Sequence, residues 1–150
     1  MTDRAAWSDR LEGWLDDRSA VLTLPAPTSE LDVTQRLNQK GLHGCCVYLS
    51  GVSDKAGLME AFRRDLDWPD WFGANWDAMA DLLAGPEDPA ARLFVLLLID
   101  FNGLRNNAPA VSATLLELIE ELSADPHSLL VGAILLDASS QDGVAGGSGV

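Results

Sequence analysis

Two stretches of this chain are apolar almost from end to end: "RLFVLLLIDF" at 92–101 and "SLLVGAILLD" at 128–137. A strand with one wet face alternates apolar and polar residues, whereas an unbroken apolar run marks a strand covered on both faces. Between them, "APAVSATLLELIEELSAD" (108–125) brings Leu115, Leu118, Ile119 and Leu122 to one side of a helix. A strand, a helix and a strand in that order form a crossover unit, and crossovers join parallel strands. The chain is therefore held to an α/β fold built on a small parallel sheet.

The neighbouring segments extend that pattern. "CCVYLS" (45–50) reads as a third buried strand. "SDKAGLMEAFRRDL" (53–66) reads as a helix, with Ser53 or Asp54 as cap and Leu58, Phe62 and Leu66 recurring on one face. Three strong strands thus fall between residues 45 and 137. Upstream, "DRAAWSDRLEGWLDD" spaces Trp7, Leu11, Trp14 and Leu15 as an amphipathic helix over 4–17, and "VLTL" (21–24) has the make-up of a short strand. Residues 25–44 mix turn formers with polar residues and are open between a linker and a short helix around 29–40. "ASSQDGVAGGSGV" (138–150) has no pattern and reads as a disordered tail. The expected organisation is an N-terminal extension over 1–42, one domain over 43–138 and a tail over 139–150.

Charge narrows the partners. The chain has 23 acidic residues against 10 basic ones, a net charge of −13. Nucleic acid is excluded as a partner, because phosphates are neutralised by Lys and Arg. Acidity keeps a protein soluble and speeds the capture of a basic partner. Cys45 and Cys46 are adjacent, so on a strand they face opposite ways and do not bridge each other. No disulfide framework and no zinc spacing is present, which suggests thiols in a reducing compartment. "MTDRAAWSDRLEGW" has no apolar leader core, and no run is long enough to span a membrane. The expectation is a cytoplasmic protein, with no membrane association and no cofactor.

Within that frame, "WPDWFGANWDAMADLLAG" (68–85) is out of place: it concentrates three of the five tryptophans beside three aspartates. Asn75 is a good N-cap and Gly85–Pro86 a good stop, which delimits a helix from Trp76 to Ala84. At about 100° per residue, Trp76, Met79, Ala80 and Leu83 share one side. Asp77 and Asp81 share another, with Cβ atoms about 6 Å apart. Like charges at that spacing weaken a helix slightly. From Asp65 through Ala91 no basic residue occurs to relieve them. Asp77 sits in the first turn, where the helix dipole favours an anion; Asp81 lies deeper. Gly73, Ala74, Ala78, Ala80 and Ala84 leave room for a partner to approach, and Trp71 offers a rigid flat contact. The pattern fits either an ordinary solvated surface helix or an acidic, aromatic-flanked knob shaped for a basic cleft.

The segment "DWPDWFGANWDAMADLLAG" resembles the signature of the barstar family, intracellular inhibitors of secreted microbial ribonucleases. The matching positions are Pro69, Trp71, Phe72, Gly73, Asn75, Trp76, Asp77, Asp81 and Gly85. The likeness extends over roughly 43–138. It implies a barstar-like domain of three parallel strands with helices around them. It also implies a partner: a basic, secreted, guanyl-specific ribonuclease of the barnase-like kind, plugged at its active site. On that likeness Asp81 is the main anchor, in the place of the substrate phosphate, and Asp77 supports it. Trp71 is the aromatic contact, Gly73 permits close backbone approach, and Glu120 or Glu121 adds a contact from the penultimate helix. The sequence departs from the best-known barstar at Ala80 and Pro86, where that protein has tryptophans. Those departures point to a different nuclease or a weaker complex.

Three other readings compete. Paired carboxylates can do acid–base chemistry, but no nucleophile accompanies them, and the two histidines, His43 and His127, fall before a strand and in a turn. Asp77 and Asp81 with Glu87 or Asp88 match no calcium loop. An immunity or interaction module for some other toxin or a host protein is the strongest alternative, given Trp7 and Trp14 on one face of the extension, although that helix more simply packs back on the domain. Asp65, Asp67 and Asp70, and Glu117, Glu120 and Glu121, either extend the negative field or are ordinary solvated charges.

Overall fold

A computed structural model of the chain describes residues 2–17, 19–24, 30–68, 75–85 and 92–136, with side chains from residue 9 onward. Ten elements follow in order: α1 (Thr2–Asp17), β1 (Val21–Leu24), α2 (Glu30–Gln39), β2 (His43–Tyr48), α3 (Lys55–Asp65), α4 (Trp76–Ala84), β3 (Phe94–Ile99), α5 (Phe101–Asn107), α6 (Pro109–Ala124) and β4 (Leu130–Leu136).

The strands form one sheet in the order β1-β4-β3-β2, and every pairing is parallel. The expectation of three strands is corrected to four. The added strand is "VLTL", which pairs with β4 from Val21 opposite Ala133 to Leu24 opposite Leu136. Four residues carry too little pattern to show whether a strand joins a sheet or lies beside it.

The apolar runs behave as their composition requires. In β3, Leu96 and Leu98 enter one core cluster while Val95, Leu97 and Ile99 enter a second, on the other face of the sheet. The first cluster is filled by Leu58, Met59 and Phe62 of α3, Met79 and Leu83 of α4, Phe101 and Leu104 of α5, and Leu115 and Ile119 of α6. The second is filled by Leu11 and Trp14 of α1 and Val33 and Leu37 of α2. Topology explains this division. From β2 through β3 to β4 the chain steps one way across the sheet, and from β1 to β2 it steps back. Crossovers of one hand place the helices of opposite steps on opposite faces. The helix of the extension thus packs back on the domain, as expected of it. Trp7 lies outside the described side chains.

Close approach is needed where the extension joins the sheet. A Cβ on Gly132 would lie 2.5 Å from the Ala20 carbonyl oxygen and 2.8 Å from Trp14 Cζ2, so only glycine fits there. At the far end of β3, Asp100 takes a left-handed conformation (φ 64°) and its carboxylate accepts from the Ser50 hydroxyl.

The short helix α5 is absent from the sequence reading. "FNGLRNN" is rich in poor helix formers, and burial of Phe101 and Leu104 holds it in place. The adjacent cysteines face opposite sides as expected, Cys45 against the first cluster and Cys46 against the second. Both are half-buried free thiols, and burial pushes each up to about 11.

Candidate functional site

The helix α4 has the bounds its sequence predicts. Asn75 is its N-cap, and its side-chain oxygen accepts from the Ala78 N–H at 2.8 Å. Met79 and Leu83 are fully buried, and they fix which face turns inward. By helical stepping Asp81 stands about 180° from the midpoint of that buried face and Asp77 about 140° from it. Both aspartates are exposed. Among the described residues neither takes part in an ion pair or hydrogen bond, so their charge is directed into solvent. Ala78 and Ala80 flank them as half-buried small residues, leaving the knob low-walled.

Tertiary contacts hold this helix at both ends and on its flank. At the C-terminus the Leu129 N–H donates to the Ala84 carbonyl at 2.7 Å. Gly85 follows with φ 140°, and a Cβ there would meet Leu129 Cδ1 at 2.9 Å. On the flank Lys55 Nζ lies 5.9 Å from the centre of the Trp76 ring, a cation–π contact joining the start of α3 to the start of α4. Ahead of α4, Trp68 packs on Phe62 with ring centres 5.8 Å apart. Sequence reasoning missed Leu129 and Lys55. Neither carries a local signal, because each acts across more than twenty residues of chain.

The other expected site residues divide. Trp71, Gly73 and Ala74 lie outside the described residues, as do Asp70, Pro86, Glu87 and Asp88. Glu120 and Glu121 are exposed on α6, which packs beside α4. Asp67 is exposed. Asp65 is not a free surface charge. It accepts from the Tyr48 N–H at 2.8 Å and pairs with Arg64, and these contacts hold its carboxyl below the usual range. His43 and His127 are exposed, and among the described residues neither is bonded to Asp77 or Asp81. Among the described residues no group of three or more His, Cys, Asp or Glu is placed to hold a metal ion, and no helix is long and apolar enough to cross a membrane.

What α4 offers is a convex feature. Open α/β sheets usually bind small ligands in the crevice at the carboxyl ends of their strands. Here the aspartates project from the outer face of a helix that is fixed on one flank of the sheet. A rigid, convex pair of carboxylates suits insertion into a concave basic surface better than enclosure of a substrate.

Comparison with known proteins agrees with the local pattern. A family model described as Barstar (barnase inhibitor) matches residues 42–131. A search of curated proteins finds no match. Among solved structures the chain resembles one described as the structure of the Aeropyrum pernix ORC2 protein in ADPNP–ADP complexes. The TM-score is 0.61 with 16% identity, over 91% of this chain and 40% of that one. The chain thus spans less than half of that protein, and at this identity the likeness is one of fold alone.

Proposed function

The chain belongs to the barstar family, described as inhibitors of barnase, and from that membership we propose that it inhibits a secreted microbial ribonuclease by inserting α4 into the enzyme's basic active site. One observation carries the reading. Asp77 and Asp81 stand exposed on the outer face of a helix that is capped by Asn75, anchored by Leu129 and lacking any cation of its own. A ribonuclease cleft must stabilise anionic phosphate, so it is lined with basic groups. Fixed carboxylates exploit that field without reorganising.

In this reading Asp81 is the anchor and Asp77 its support. Trp71, Gly73 and Ala74 form the approach to the helix, and Ala80 and Glu121 are secondary contacts. The protein acts by occlusion, without catalysis, metal or cofactor. It works in the cytoplasm, where its free thiols stay reduced and where leaked nuclease would destroy the cell's RNA.

The test is inhibition of a panel of small guanyl-specific ribonucleases. The wild type should inhibit one of them stoichiometrically, with affinity falling as salt is raised. Asp81→Ala should lose about 2 kcal/mol or more of binding, the usual threshold for an interface hot spot, a scale that itself draws on this family's complexes. Asp81→Ala binding as tightly as the wild type would remove the plug mechanism. A folded wild type that inhibits no member would favour the second reading, an immunity module for a different toxin. Ala80 is the observation on that side, since it places a small residue where a large contact is expected of the family.

A further inference from the structure

The order β1-β4-β3-β2 leaves two strands with open edges, and each edge is met by an arginine. On β2, the Leu49 N–H bonds the Ile99 carbonyl and the His43 N–H bonds the Leu93 carbonyl. Residues of one parity therefore face β3, and the alternation of a strand turns the peptide groups of Gly44, Cys46 and Tyr48 outward. On β1, the Ala133 N–H bonds the Ala20 carbonyl, so Val21 and Thr23 turn their peptide groups outward. Rows of outward N–H and C=O groups are templates for another strand.

The outward groups of Tyr48 are already occupied. Its N–H donates to Asp65 Oδ2 at 2.8 Å, and its carbonyl accepts from Arg64 Nη2 at 3.1 Å. Arg64 and Asp65 hold each other through Nε–Oδ1 at 2.8 Å and Nη2–Oδ2 at 2.9 Å. The Tyr48 hydroxyl is bonded to the Glu30 carboxylate of α2. One strand residue is thus gripped from both faces of the sheet. At the other edge Arg10 of α1 donates to the outward Thr23 carbonyl at 2.8 Å.

We infer that Arg64 with Asp65, and Arg10, close the two edges of this sheet to strand addition by a second copy of the chain. Net charge alone is a poor guard at physiological salt, because repulsion between exposed charges fades over about 8 Å. Backbone pairing acts at contact, so it is interrupted where an outward group already has a partner, as at Tyr48 and at the Thr23 carbonyl.

Light scattering on the full-length chain across a concentration series tests this. Arg64→Ala/Asp65→Ala leaves net charge unchanged. So does the control Glu60→Ala/Arg63→Ala, which removes a neighbouring ion pair of α3 with Arg63 Nη2 2.7 Å from Glu60 Oε2. The edge variant should self-associate about tenfold more tightly than wild type or control, with the amides of Gly44, Cys46 and Tyr48 gaining hydrogen-exchange protection in the associated form. Arg10→Ala opens the other edge and makes the chain more acidic, so any gain in association is not a charge effect. If the double variant fails to fold, Arg10→Ala decides alone. Folded variants that stay as monomeric as the control would overturn the inference, as would a wild type already associated through β1 or β2.

Discussion

Asp81, the proposed anchor, shows what an unpaired helix carboxylate costs its own protein. It sits mid-helix, four residues after a like charge, and makes no contact among the described residues that offsets the repulsion. Such pairs destabilise a helix by about 0.2–0.5 kcal/mol, and Ala propagates a helix better than Asp. Asp81→Ala is therefore expected to raise stability by about 0.5–1 kcal/mol while abolishing tight inhibition, as urea unfolding and a binding titration on one sample would show. A loss of stability would mean that the carboxylate has a structural role. Asp65 behaves oppositely. Its folded pKa is depressed by Arg64 and by the Tyr48 N–H, so its contribution is complete above the ordinary Asp value of about 3.9 and fades as pH falls through the lower folded value. Asp65→Asn should flatten the acid limb of the stability curve; an unchanged limb would place the acid sensitivity elsewhere. The distinction between the two residues was only half legible. Asp81 announced itself by spacing and by the lack of nearby cations, both local properties. Asp65 looked like another surface acid until the fold brought Tyr48 to it. The thiols were legible in direction. Raised to about 11 by burial, Cys45 and Cys46 should resist alkylation at neutral pH in the native state and react promptly in denaturant, because only the thiolate attacks.

At the scale of the element, α4 was readable because its signals lie within a dozen residues: a capping Asn75, an inward Met79 and Leu83, a closing Gly85. Its anchoring was not readable, since Leu129 and Lys55 come from distant parts of the chain. The cap gives a direct check. Asn75→Ala removes the acceptor for the Ala78 N–H and should lower stability by about 1 kcal/mol. It should also weaken inhibition although Asn75 need not touch the partner, because a frayed first turn no longer holds Asp77 in place. If stability falls and inhibition does not, the first turn takes no part in the plug. The short elements were the hard ones. β1 spans four residues and α5 seven, and each is held by what it packs against more than by its own sequence.

For the whole molecule, the question is how far the family segment stands alone. The match begins at residue 42, yet the second core cluster lies between the sheet and helices that precede it. Without α1, β1 and α2, the side chains of Val95, Leu97, Ile99, Ile134 and Leu136 would meet water. At about 1.5–3 kcal/mol for each buried aliphatic side chain, the exposure totals roughly 7–15 kcal/mol. That equals the entire stability of an ordinary domain, about 5–15 kcal/mol. Removing the extension would also leave β4 as a bare apolar edge strand, the arrangement most prone to aggregation. A chain beginning at Leu42 is therefore expected to lose cooperative urea unfolding, to bind hydrophobic dye and to associate, even though every residue of the acidic helix remains. Gly132→Ala should reproduce a milder form of the same defect in the full chain. Forcing Ala20 and Trp14 away from β4 should cost about 1–3 kcal/mol and loosen the extension first. If instead the shortened chain unfolds cooperatively and still inhibits, residues 43–138 form a self-sufficient domain. The extension would then be an accessory that covers a face the domain can leave open, and its Trp14 would be better sought in a second interface than in the core.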